Sequence, residues 1–366
     1  MPTAEVGYLL SEDSYVWTKR GILKINELHE SDYVLGLDLE KRDVAFEKVG
    51  CRPLKLKVNR ALRITTDVNE LLVSEETQLY TSNGKKAAAE VYKGDMIDIF
   101  YRPRIFGMMK QLYSSNPQQR VDVNKHQIAV TENLAYVLGT QAIVPYRESH
   151  RLVLYLESGF NYRKICQILK EALQETKLPH RIYYRPTDYR KIVIYDDSTE
   201  NSLTRMISQL FKNYEMPEVI RTSPTTVIQQ FLEGVFDSRA KISKGGLVKF
   251  YTRACSDKIR RFIFSALVLF DIQPRYTFVS QTSEGLKLVY IYLALPQERP
   301  FDLKSLAITS QEFLAKKTRD DTKVYSEVKH IVKLRRAQCF ISRVREHWDL
   351  IADLVPVHYQ IVQLKQ

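Results

Sequence analysis

The sequence predicts an α+β fold, in which a discontinuous β-rich domain carries an inserted α/β domain of pseudo-twofold design. Three observations predict it. Both ends of the chain are short alternating runs broken by turn residues, such as RGILKINELHESDYVLGLD and VYSEVKHIVKL, which is the period of strands. The middle carries amphipathic helices interleaved with hairpins. The middle is also duplicated. TENLAYVLGTQAIVPY from Thr131 and SPTTVIQQFLEGVFDSRAK from Ser223 each read as a helix with one central glycine, Gly139 and Gly234.

Counting on from each glycine gives matching landmarks. A second amphipathic helix begins 22 residues later, at Asn161 and Ser256, and a hairpin begins 42 residues later, at Arg181 and Tyr276. Thr131 is expected to cap the first helix, and Ser223 with Pro224 behind it the second. A mid-helix glycine costs about 1 kcal/mol against alanine unless close packing uses it, so Gly139 and Gly234 are expected to sit in close packing. The order along the chain is then a β-domain part over 1–104, a connecting segment over 105–127, and the α/β domain over 128–312. That domain divides into two copies of one αββ-type unit at 128–216 and 217–312, and the β-domain is completed by 313–366. In the helix NYRKICQILKEALQET, Ile165, Ile168, Leu169 and Leu173 have the spacing of a core stripe.

Composition narrows the function classes. With 15 Phe and 22 Tyr the chain has ample core-forming area, and 13 Gly and 13 Pro exclude a linker-like or collagen-like polymer. No apolar run is long enough to span a membrane, and MPTAEVGYLLSEDSYVW lacks the layout of a signal peptide. Cys51, Cys166, Cys255 and Cys339 are scattered without a CxxC pair, so neither a disulfide framework nor a zinc site is expected. An intracellular, cytoplasmic setting is expected, with nucleoid or nucleus as variants. Lys and Arg number 55 against 43 Asp and Glu, and this excess of 12 points to a polyanionic partner, above all nucleic acid.

These segments resemble an intein-type Hint domain with an inserted LAGLIDADG homing endonuclease, across nearly the whole chain. NLAYVLGTQAIVPY and FLEGVFDSRAK look like the two LAGLIDADG helices. EDSYVWTKRGILKINELHESDYVLGLD, VSEETQLYTSNGKKAAAEVYKGDMI and DLIADLVPVHYQ look like splicing blocks. The resemblance implies that the two copies are αββαββα repeats, with two glycine-contacting helices, an acid at the foot of each to share divalent metals, and saddle-like sheets along DNA. Here the acid positions hold Val144 and Arg239. Mg²⁺ needs hard oxygen ligands, which valine lacks, and arginine repels a cation. Asp237 is present, but the resemblance gives that position a structural role. On the splicing side the nucleophile position is Leu9, the assisting Thr-x-x-His is replaced by Ser74 through Thr77, and the terminal Asn by Tyr359. His358 alone matches. The expectation is a domesticated, catalytically silent chain that neither splices nor is a piece cut from something larger, with no metal and no cofactor.

A binding surface remains. In the first repeat the candidates are Arg147, Arg151, Arg181, Tyr183, Arg185, Tyr189, Arg190 and Lys191. In the second they are Lys241, Lys244, Lys249, Tyr251, Arg253, Arg275 and Lys287. Cations neutralise phosphates, while tyrosines stack on bases or bond the backbone. The expectation is therefore a non-catalytic binder of duplex DNA or structured RNA, monomeric because its twofold is internal. Two rivals stand beside it: an active endonuclease using Asp237, Glu148 or Glu233 from shifted positions, and a scaffold whose saddle takes a protein partner.

Overall fold

The computed structural model describes residues 4–12, 14–38, 43–50, 53–66, 70–100, 103–123, 126–142, 147–148, 151–155, 162–177, 180–184, 191–196, 203–211, 215–242, 248–251, 257–270, 272, 274–281, 287–293, 324–342, 348–352, 355–358 and 360–363. The fold is α+β, with seven α-helices among these residues. The N-terminal strands are β1 (Ala4–Ser11), β2 (Tyr15–Thr18), β3 (Gly21–Lys24), β4 (Tyr33–Asp38), β5 (Asp43–Lys48), β6 (Leu54–Thr66), β7 (Glu70–Ser74), β8 (Gln78–Thr81), β9 (Gly84–Ala87) and β10 (Met96–Ile99). Helix α1 (Pro103–Ser114) and the hairpin of β11 (Arg120–Val123) and β12 (His126–Ala129) follow. Next come α2 (Glu132–Ala142), β13 (Arg147–Glu148), β14 (Arg151–Tyr155), α3 (Tyr162–Thr176), β15 (His180–Tyr184), β16 (Lys191–Asp196) and α4 (Leu203–Leu210). After a single turn, α5 (Glu218–Arg221), the pattern returns in α6 (Thr225–Arg239), β17 (Ala240–Ile242), β18 (Val248–Tyr251), α7 (Asp257–Leu267), β19 (Pro274–Gln281) and β20 (Lys287–Leu293). The C-terminal strands are β21 (Val324–Ser342), β22 (Trp348–Ala352), β23 (Val355–His358) and β24 (Gln360–Gln363).

The chain forms two compact units, one of residues 1–109, 264–276 and 317–366, the other of 110–263 and 277–316. The first contains a 14-stranded sheet in which strands from both ends of the chain pair: β1 with β24, β6 with β21, and β8 with β23. Its core holds Trp17, Tyr15, Ile22 and Ile64, and the indole of Trp17 packs 5.6 Å from the ring of Phe106. A duplication at an offset of 63 residues, which pattern reading did not detect, organises this sheet. Thr18 Oγ1 donates to the Gly21 carbonyl at 2.9 Å, and Thr81 Oγ1 to that of Gly84 at 2.7 Å. The Glu27 carboxylate accepts from the Lys24 N–H, and Glu90 from that of Ala87. Asp32 accepts from the His29 N–H at 2.8 Å, and Asp95 from that of Tyr92 at 3.0 Å. Each copy turns through a glycine at positive φ, 145° at Gly21 and 97° at Gly84, where a side chain would be strained.

The two repeats, most of whose residues lie in the second unit, share the order αββαββ among the described residues. They also share the same sheet order, β13-β14-β16-β15 and β17-β18-β20-β19, while the position matching α4 in the second repeat lies outside the described residues. Helices α3 and α7 begin at Tyr162 and Asp257, one residue after each expected start. Thr131 caps α2, its Oγ1 accepting from the Leu134 N–H at 3.2 Å. Ser223 does not cap α6. Its hydroxyl donates back to the Val219 carbonyl, because the preceding turn α5 leaves that acceptor in reach, and the Pro224 carbonyl takes the first helical bonds of α6. The segment 105–127, expected only to connect, is structured. In α1, Phe106, Met109 and Tyr113 are buried at helical spacing, and the helix stops at the Ser-Ser-Asn-Pro run.

Candidate nucleic-acid interface

The centre of the second unit is the crossing of α2 and α6. Both helices are buried along nearly their whole length, so each is apolar on several faces where a surface helix would show one stripe. The crossing is set by the two glycines. A Cβ on Gly139 would lie 2.0 Å from the Phe231 carbonyl oxygen, and one on Gly234 would lie 2.1 Å from that of Tyr136. The contact is reciprocal: each glycine meets the backbone three residues before the other. Only hydrogen at these positions permits such an approach.

A polar bond crosses the same interface. Tyr136 donates from its hydroxyl to Asp237 Oδ2 at 2.9 Å, with both side chains fully buried. Burial, and then the charge and hydrogen bond of Asp237, push the Tyr136 hydroxyl well above the ordinary tyrosine range, and Glu233 adds to the effect. Glu233 lies one turn earlier on α6, also fully buried, and its Oε1 accepts from Gln229 Nε2 at 3.3 Å. These two acids are built into the helix interface. Arg239 is the last residue of α6, and Val144 lies outside the described residues. Among the described residues no three His, Cys, Asp or Glu side chains converge as a metal centre.

Register groups the sheet candidates. In the first repeat Arg151 and Arg181 both stand opposite Tyr195 on β16, while Tyr183 stands opposite Val193 and Lys191 opposite Tyr155. Alternate ladder positions share a face, so Arg151, Arg181, Tyr183 and Lys191 form one set, and Arg181 is exposed. Arg147 stands opposite Leu152, out of that alternation. In the second repeat Lys241 pairs with Lys249, Lys249 with Tyr292, and Tyr251 with Tyr290, which makes a second basic and aromatic set. Lys287, at the start of β20, alternates with Ile291 and Leu293 rather than with the tyrosines. Arg275 lies near the start of β19. Arg185, Tyr189, Arg190, Lys244 and Arg253 lie outside the described residues.

The splicing-type positions that are described lie on strands of the first unit. Leu9 pairs with Ile341, and the strand β1 carrying it also pairs with β7, which ends at Ser74. Ser74 and Thr77 are buried, their hydroxyl oxygens 2.9 Å apart. His358 stands opposite Gln78, the residue after Thr77, and Tyr359 lies outside the described residues. What sequence reading missed here is the Tyr136–Asp237 pair, whose members are 101 residues apart.

No family model matches the sequence, and no curated protein matches it. Among solved structures the chain is similar to the DnaX mini intein from Spirulina platensis, at 22% identity over 25% of this chain and 66% of that one, with a TM-score of 0.23. It is also similar to a bacterial intein-like domain from Clostridium thermocellum, at 16% identity over 27% of this chain and 68% of that one, with a TM-score of 0.22. A third is the homing endonuclease I-DmoI in complex with DNA and Mn, at 12% identity over 45% of this chain and 90% of that one, with a TM-score of 0.34. The chain thus spans just under two thirds of the DnaX mini intein. These three solved structures are an intein, an intein-like domain and a homing endonuclease.

Proposed function

We propose that the chain is a nucleic-acid-binding protein on a homing-endonuclease-like scaffold, gripping a duplex through its two basic, tyrosine-lined sheets without cutting it. The observation that carries this reading is the pair of register sets, Arg151–Arg181–Tyr183–Lys191 on β14, β15 and β16 and Lys241–Lys249–Tyr251 on β17 and β18, in two sheets of the same strand order. Cations on neighbouring strands can neutralise phosphates of a duplex, and tyrosines beside them can add stacking and hydrogen bonds.

Lack of cleavage is supported by chemistry at the helix feet. Valine and arginine stand where the resemblance asks for two metal-holding acids. The nearest substitutes, Asp237 and Glu233, are fully buried, and Asp237 is engaged by Tyr136, so neither is offered to a phosphate-bound ion. The test is fluorescence anisotropy on labelled duplex DNA and on an RNA hairpin. Affinity should fall steeply with salt, with log K changing by roughly 0.9 per neutralised phosphate on DNA. Arg151→Ala, Arg181→Ala and Lys191→Ala together should weaken binding by roughly tenfold or more. Absent or salt-independent binding at low ionic strength would remove the reading.

A further inference from the structure

We propose that the ribbon formed by β6 and β21 is a second nucleic-acid contact, on the other unit, and that it seats in the major groove of duplex DNA. The inference rests on the nucleic-acid reading above and names the form of nucleic acid. Over most of its length β21 pairs with β6, from Val328 opposite Thr66 to Ile341 opposite Leu54. Among the described residues, β7 covers the other edge of β6 only from Ala61 to Thr65. The other edge of β21 is covered by β10 up to Glu327 and by β1 from Cys339. Around Arg60 and Arg335 the ladder is therefore two strands wide among these residues.

At that place the ribbon is basic. Arg60 and Arg335 stand directly opposite each other at the end of that stretch, and Lys333, opposite Leu62 where β7 also pairs, lies two residues from Arg335 on the same face. Lys333 and Arg335 are exposed, and Arg60 is 78% exposed. The acid beside them is Glu75, 3.7 Å from Arg60, a long surface pair of little strength. Like charges directly opposite each other destabilise a ladder. Guarding open strand edges against pairing asks for a charge on each edge, and an Arg–Glu pair would guard both without the repulsion. Two arginines face to face gain when a polyanion lies over them.

Shape selects the polyanion. The major groove of B-form DNA admits a two-stranded ribbon, whereas the major groove of A-form RNA is too deep and narrow for one. The ribbon thus reads as a DNA contact, held by phosphates on the groove walls.

The experiment uses the full-length chain carrying Lys333→Glu and Arg335→Glu, titrated with a DNA duplex of about 30 base pairs and an RNA duplex of the same sequence, at about 50 mM salt and upward. The expected result is DNA binding weakened by roughly tenfold or more, a salt slope shallower by about 2, and RNA binding within about twofold of the parent chain. Thermal melting without nucleic acid should show no loss of stability, since Arg335→Glu sets a carboxylate opposite Arg60 in place of a like charge. Unchanged DNA affinity and slope in the double variant would overturn the ribbon contact while leaving the sheet reading intact. An equal loss on RNA and DNA would overturn the groove assignment. If the parent chain binds DNA but the Arg151, Arg181 and Lys191 variant binds it equally well, the sheet reading fails and the ribbon does not; if the parent binds neither duplex, both fail.

Discussion

The two repeats of the second unit are alike in shape and unlike in polarity. Gly139 and Gly234 occupy equivalent places and make the same backbone contact in both directions. The polar positions do not repeat. At the same offset, Tyr136 corresponds to Phe231 and Asp237 to Ala142, so the Tyr136–Asp237 bond exists on one diagonal only. On the other side Phe231 packs edge-on to Phe262, with ring centroids 6.3 Å apart. The scaffold thus demands twofold symmetry of its backbone, because two helices at this separation leave no room for a Cβ on either. It makes no such demand on the groups that flank the contact, and a pair of symmetric acids at the helix feet is not needed to hold the helices together. On the function proposed above, this leaves the scaffold free to stand without two carboxylates at the helix feet.

The symmetric half of this comparison is broken most severely by Gly139→Ala or Gly234→Ala. Each puts a methyl onto backbone that cannot rotate away, so each should cost about 3 kcal/mol, the upper end for overpacking, and the two costs should be nearly equal. Because both act on one interface, the double variant should fall short of their sum. Urea unfolding of the full chain reads this. Markedly unequal losses would show that the contact is not reciprocal.

The asymmetric half is sharpened by Tyr136→Phe, expected to cost about 2 kcal/mol by taking a donor from a buried carboxylate, whereas Phe231 offers no such bond to lose. The same variant carries a pH signature. The folded chain holds the Tyr136 proton more tightly than the unfolded chain does, so this contribution is fully present below the ordinary value of 10.0 and is lost as pH rises beyond it. Melting curves of the parent should drop above that pH more steeply than those of Tyr136→Phe.

How much of this was legible depended on what each feature writes into the chain. Lone glycines inside apolar helices are conspicuous, and from Gly139 and Gly234 the starts of α3 and α7 followed to within a residue. The α+β architecture was legible from the change between strand and helix periods. The duplication in the first unit was not. Its repeated residues, Thr18 and Thr81, Glu27 and Glu90, Asp32 and Asp95, sit among neighbours of unlike type, and their common task is to satisfy local backbone groups, which only geometry reveals. The helix α1 was hidden by the polar turn behind it, although Phe106, Met109 and Tyr113 carried its period. The Tyr136–Asp237 bond and the Arg60–Arg335 pairing join residues far apart in sequence, and no local pattern announces either. Among the interface candidates, residue type suggested Arg147 and Arg151 alike, and only strand register separated them.

Occupancy of a duplex without scission is checked by incubating the pure chain with a duplex library in Mg²⁺ or Mn²⁺ and sequencing the ends produced. Bound but intact DNA is the expected result. Breaks at a defined sequence that vanish in Asp237→Asn, a variant that keeps an acceptor for Tyr136, would contradict it.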